Sequence, residues 1–76
     1  MQQELIETFK AVSADGNVFT INVYQDYVIE KTRYEGDIKL LGQMELRTDD
    51  GMFVNKDDDD NDVFYIQGVL KVTRMS

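Results

Sequence analysis

Apolar and polar residues alternate with a period of two in several short stretches of the chain, chiefly 7–11, 19–23 and 45–48. That period puts successive side chains on opposite faces of a strand. Residues 4–13 read as a first strand, and residues 18–25, rich in β-branched and aromatic types, read as a second. Between them lies Ala14-Asp15-Gly16-Asn17. The register follows from asking which loop gathers the apolar residues on one face, because a slip of one residue turns every side chain over. A two-residue Asp15-Gly16 turn would set Lys10 opposite Ile21 and Phe9 opposite Asn22, which mixes the faces. A three-residue loop, Ala14-Asp15-Gly16, pairs Ser13 with Asn17, Ala11 with Phe19 and Phe9 with Ile21. Leu5 and Val23 then continue the apolar face, while Thr8, Lys10, Thr20 and Asn22 share the other. Gly16 closes this loop with a positive φ, which only glycine adopts cheaply.

The same reasoning applies to Glu45-Leu46-Arg47-Thr48-Asp49-Asp50-Gly51-Met52-Phe53-Val54-Asn55. A three-residue loop, Asp49-Asp50-Gly51, pairs Thr48 with Met52 and Leu46 with Val54, and leaves Arg47 and Phe53 together on the opposite face. Residues 26–43 are harder to read. Tyr27-Val28-Ile29 extends the second strand or leaves it, 31–37 reads as a long turn, and Ile38-Lys39-Leu40-Leu41 fits a short strand, a helical turn or a buried crossing. Gly42 permits a sharp entry to the next strand. At the end, Val63-Phe64-Tyr65-Ile66 and Val69-Leu70-Lys71-Val72-Thr73 are two strands joined by a tight turn, or one strand bent at Gly68. No segment sustains a helical period. The pattern predicts an all-β fold with little helix: a small curled antiparallel sheet or partly open barrel of five to six strands.

A chain of 76 residues forms one domain, 1–76, with an acidic loop at 56–62. A domain this small buries only roughly 60% of its unfolded surface. With no Cys it has no disulfide to help, so either its core is very well packed or a second copy covers an apolar face. The absence of Cys fits a reducing compartment. Met1-Gln2-Gln3-Glu4 lacks the basic head and apolar middle of a secretory signal, and no stretch has the length of a membrane span, so the expected location is the cytoplasm.

Charge narrows the function classes. The net charge is −7, and residues 49–62 carry −6 of it through seven Asp against one Lys. A nearly neutral body with one acidic region argues against direct nucleic-acid binding, which needs a basic stripe, and against an anionic membrane surface.

The chain has no His and no Cys, which removes the commonest general base, thiol nucleophiles and zinc sites of the usual ligand type. Ser13 and Ser76 have no base partner in sequence. No catalysis and no cofactor are therefore expected. Asp58, Asp60 and Asp62 have the one-three-five spacing that opens a calcium loop and are the metal candidates. The Gly and Glu such a loop requires further on are missing in either frame, so weak divalent binding competes with a mobile, solvated loop held off the sheet by its own repulsion. A second alternative is an acidic mimic that inhibits a nucleic-acid-handling protein. The leading expectation is a protein-interaction module with an unknown protein partner, or a homodimer through an edge strand or apolar face. Arg47, Phe53, Tyr24 and Tyr34 are its contact candidates, because aromatics and Arg dominate binding hot spots. Tyr27 and Tyr65 are weighed alongside them, and aromatics in so small a domain also compete for its core.

Phe9 to Ala11, Asp15-Gly16, Phe19-Thr20-Ile21, Val23-Tyr24, Leu46-Arg47-Thr48, Asp50-Gly51 and Val54-Asn55 together form a pattern. It resembles that of a group of small uncharacterised bacterial all-β proteins, over both hairpins. The resemblance implies a small β domain and brings no activity. The chain departs from the pattern after Asn55, where the Asp run is longer, and in residues 26–43.

Overall fold

The structure is a computed structural model and describes residues 2–75. Six antiparallel strands follow one another around a closed barrel: β1 (Gln2–Ser13), β2 (Val18–Thr32), β3 (Gly36–Thr48), β4 (Phe53–Lys56), β5 (Val63–Ile66) and β6 (Leu70–Arg74). Closure comes from β1 pairing with β6, Ala11 with Arg74 and Ser13 with Val72. Among the described residues there is no helix, and none therefore long and apolar enough to cross a membrane.

The two hairpin registers follow the apolar pattern. Phe9 lies opposite Ile21, Ala11 opposite Phe19, and Leu46 opposite Val54. Both turns use the same chemistry. Ser13 N donates to the Asn17 carbonyl at 2.9 Å and Gly16 N to the Ser13 carbonyl at 3.0 Å; Thr48 N donates to the Met52 carbonyl at 2.9 Å and Gly51 N to the Thr48 carbonyl at 3.0 Å. In each, the Ser13 or Thr48 hydroxyl donates to the carboxylate two residues on, Asp15 or Asp50, and accepts from the backbone N–H of Asn17 or Met52. Gly16 and Gly51 sit at φ +88° and +89°. The hydroxyl thus organises the loop, and Gly supplies the left-handed residue that closes it.

Inward side chains of all six strands meet in one core. Phe9, Ala11, Ile21, Val23, Val54, Phe64, Ile66 and Val72 are buried together, with Phe19, Leu46 and Met52 packed against them. Ile21 and Val72 are fully enclosed, and the Phe9 and Phe64 rings meet at 5.1 Å between centroids. The last turn joins two separate strands: Val69 N donates to the Ile66 carbonyl, with Gln67 and Gly68 both at positive φ.

Leu5 departs from the expected face. β1 carries an extra residue, Ile6, so that Leu5 pairs with Tyr24, where the unbroken register would set it opposite Gln25. The bulge turns over everything on its N-terminal side, and Leu5 is exposed on the outer surface. The long turn expected over 31–37 is also corrected. β2 continues to Thr32 and β3 begins at Gly36, leaving only Arg33-Tyr34-Glu35 as the turn. Thr32 Oγ1 holds it, accepting from Glu35 N at 3.0 Å and donating to the Gly36 carbonyl at 2.7 Å.

β2 and β3 therefore run far past the barrel. β4 pairs with β3 only at Leu46 and Arg47, so among the described residues β3 from Gly36 to Glu45 has no strand partner on that side. The molecule is 55 Å long and 26 by 22 Å across, and the β2–β3 extension, here termed the arm, accounts for the elongation. A bulge marks its root, where Gly42 and Gln43 oppose the single residue Asp26. The buried Gln25 amide pins that bulge by donating to the carbonyls of Gly42 at 2.9 Å and Asp26 at 3.0 Å.

Candidate functional site

Three features stand out beyond the core: a cationic–aromatic patch, the acidic loop and the arm.

The patch lies on the outer face of β2, β3 and β4. Arg47 pairs directly with Phe53 across the ladder, as their common face predicts, and its guanidinium stacks 4.4 Å from the centre of the Tyr24 ring. Gln3 on β1 steadies it: Arg47 Nη2 donates to Gln3 Oε1 at 2.9 Å, and the Gln3 amide donates to Glu45. Glu45 and Arg47 also form an ion pair at 3.9 Å. Arg47 Nε is buried without a hydrogen-bond partner. Phe53 is more than half exposed. The structure thus brings Arg47, Phe53 and Tyr24 together. Tyr34 stands apart from them in the arm's turn, 89% exposed.

The acidic loop is short and tied down. Asp57 N donates to the Val63 carbonyl at 2.9 Å, and Arg74 N to the Asp62 carbonyl at 2.7 Å, so both ends are fastened to the barrel. Asp60 Oδ1 accepts from Asp62 N at 2.9 Å, which turns that carboxylate back onto its own loop. Asp58, Asp60 and Asp62 are exposed. Among the described residues no group of three or more acidic side chains converges in a way that could hold a metal ion.

The arm was not singled out as a site by sequence, yet it carries the main surface anomaly. Inward positions continue the core column out into solvent: Val23 with Leu46, Gln25 with Met44, Tyr27 with Leu41, and Ile29 with Lys39. The first pair is in the barrel. Beyond it, Met44, Leu41 and Ile29 are exposed, Leu41 by 65%. The other face carries Val28 opposite Leu40, with Ile38 further out, so the ribbon is apolar on both sides. Lys39 forms an ion pair with Glu4 and lies 4.4 Å above the Tyr27 ring, its stem covering part of the inward face. At the root, Tyr27, Val28, Leu40 and Leu41 border a notch of about 170 Å³. The barrel mouth, lined by Glu7, Val23, Met44 and Phe64, holds a second space of about 170 Å³, with the Arg74–Glu7 ion pair at its edge. Both are below the ~300 Å³ at which small-molecule pockets begin. The sequence signal for the arm was available: Val28-Ile29 and Leu40-Leu41 lie symmetrically about Arg33-Tyr34-Glu35-Gly36, as a hairpin requires.

No protein-family model, curated protein or solved structure matches the chain.

Proposed function

We propose that the chain is a small non-catalytic interaction module of the cytoplasm that contacts a protein partner through the arm. The observation that carries this reading is the apolar surface of the arm. Side chains of core type, Val28, Ile29, Leu40, Leu41 and Met44, stand in water on an element the barrel does not cover. Contiguous apolar surface of this kind marks contact sites on folded proteins. The patch at the root (Tyr24, Arg47, Phe53) and Tyr34 at the tip supply the aromatic and cationic anchors that contact surfaces favour. The lack of His and Cys supports a role without catalysis, and the lack of Cys supports the reducing compartment. The acidic surplus weighs against direct contact with nucleic acid.

The test is capture of partners by the intact chain and by variants. Leu41→Asp and Phe53→Ser should each reduce a specific partner severalfold, while Asp58→Asn with Asp60→Asn should leave it in place. If the double Asn variant loses the partner and the arm variants keep it, the acidic loop is the contact surface and the mimic reading replaces this one.

A further inference from the structure

We propose that the arm's first partner is a second copy of the chain, joined edge to edge through β3 in antiparallel fashion across a two-fold axis near Leu40. The inference rests on the interaction reading above and names the occupant of that surface. Three observations lead to it.

The first is the open edge. β3 from Gly36 to Glu45 has β2 on one side and, among the described residues, no strand on the other, since β4 reaches only Leu46 and Arg47. Its backbone groups are free to extend the sheet. Natural edges of this length are usually blunted by Pro, a bulge or inward charges; this one has no Pro, a bulge only at its root, and one inward charge, Lys39, which is drawn along the arm to Glu4 and the Tyr27 ring.

The second is charge across the new ladder. With Leu40 facing its own copy, Lys39 faces Leu41, Ile38 faces Gly42 and Asp37 faces Gln43, so no like charges oppose one another. The other free edge, β1 from Gln2 toward Lys10, carries Glu4 and Glu7, and a two-fold axis between Leu5 and Ile6 would set Glu4 directly opposite Glu7. Pairing β1 with β3 of another copy is a heterologous contact and would build rings or open chains in place of a two-fold dimer.

The third is the apolar stripe. Joined through β3, the two β2–β3 arms make a four-stranded sheet in which Val28 and Leu40 of both copies form one continuous stripe.

The experiment uses the intact chain, which has no Cys of its own. Sedimentation velocity over a wide concentration range should show a monomer passing to a dimer and no further. Leu40→Cys should form a disulfide-linked dimer under mild oxidation, because an antiparallel two-fold brings the two residue 40 backbones within the 4.4–6.8 Å span a disulfide needs. Val69→Cys, exposed in the β5–β6 turn at the end of the barrel away from the arm, should not. Leu40→Lys, at a position already exposed, should weaken self-association about tenfold or more by setting two cations opposite each other. A monomer at every concentration would overturn the proposal, as would a ladder of oligomers or efficient crosslinking of Val69→Cys in place of Leu40→Cys. A monomer whose captured partner is lost on Leu41→Asp would overturn this proposal alone. A monomer with no arm-dependent partner would overturn the interaction reading as well.

Discussion

β2 and β3 each belong to two different structures. Their lower halves, Val18–Gln25 and Leu46–Thr48, are staves of a closed barrel and bury Ile21 and Val23 completely or nearly so. Their upper halves form a two-stranded ribbon whose apolar side chains stay exposed. The local chemistry is alike in both: β-branched and aliphatic residues, an unbroken ladder, and a glycine at positive φ closing each turn. What differs is the layer across from them. In the barrel the inward side chains meet those of β4, β5 and β6, whereas in the arm they meet solvent. Strand propensity alone therefore does not stabilise a strand; burial against a second layer does.

The largest expected effect breaks the comparison at its strongest point. Phe64→Ala, which empties space beside Phe9 in the core, should destabilise the fold by about 3–5 kcal/mol in urea unfolding, while Ile29→Ser in the arm should change it by less than about 0.5 kcal/mol. Equal losses would mean that the arm belongs to the cooperative unit.

Glycines sharpen the contrast. A Cβ on Gly16, Gly51 or Gly36 meets nothing within 4 Å, so substitution strains only the backbone, at φ +88°, +89° and +74°. Gly16→Ala and Gly51→Ala should each cost about 1 kcal/mol of global stability. Gly36→Ala carries the same local strain but should fray only the arm's turn, leaving the global unfolding midpoint unchanged.

Charge gives a smaller effect. Asp58 is exposed, whereas Asp60 accepts a backbone hydrogen bond that an amide oxygen can also accept. Asp58→Asn with Asp60→Asn should raise stability by roughly 0.5 kcal/mol at low salt and much less at physiological salt, where screening shortens to about 8 Å. Loss of stability at both salt levels would show that the carboxylate charges make native contacts.

The smallest effect is at the first turn. The Ser13 hydroxyl, with lesser help from backbone N–H groups, holds the Asp15 carboxyl below its usual 3.8. A carboxylate depressed in the folded state adds stability above its unfolded pKa, and that stability is lost as pH falls through the lower folded value. Acid titration of unfolding should therefore show a small extra loss below the usual carboxylate range in the natural chain, and Ser13→Ala should remove it.

The barrel half was legible because its turns carry their own register: Ser13 and Asp15 before Gly16, and Thr48 and Asp50 before Gly51, leave only one loop length that keeps Phe9, Ile21, Leu46 and Val54 together. Arg47 and Phe53 could be placed on one face for the same reason. The arm was obscured by its lack of a polar face. Val28 and Ile29 are consecutive and both apolar, so alternation vanishes, and the charged run from Lys31 to Asp37 looks like loop although most of it is strand. Leu5 was misplaced by a single extra residue, Ile6, which no local composition announces. In the acidic loop the charges were visible, but the tether from Arg74 N to the Asp62 carbonyl joins residues on neighbouring elements and has no counterpart in local sequence.

Hydrogen exchange within β2 and β3 tests most directly that one pair of strands holds both a stable barrel and a weakly held arm. In dilute solution, ladder amides of Ile21, Val23 and Leu46 should exchange only on global unfolding, with a denaturant dependence matching the urea slope. Ladder amides of Val28, Glu30 and Leu40 should exchange orders of magnitude faster, with little denaturant dependence, and should gain protection as concentration rises and copies pair. Equal protection of both halves of β2 at the lowest concentration would contradict the account.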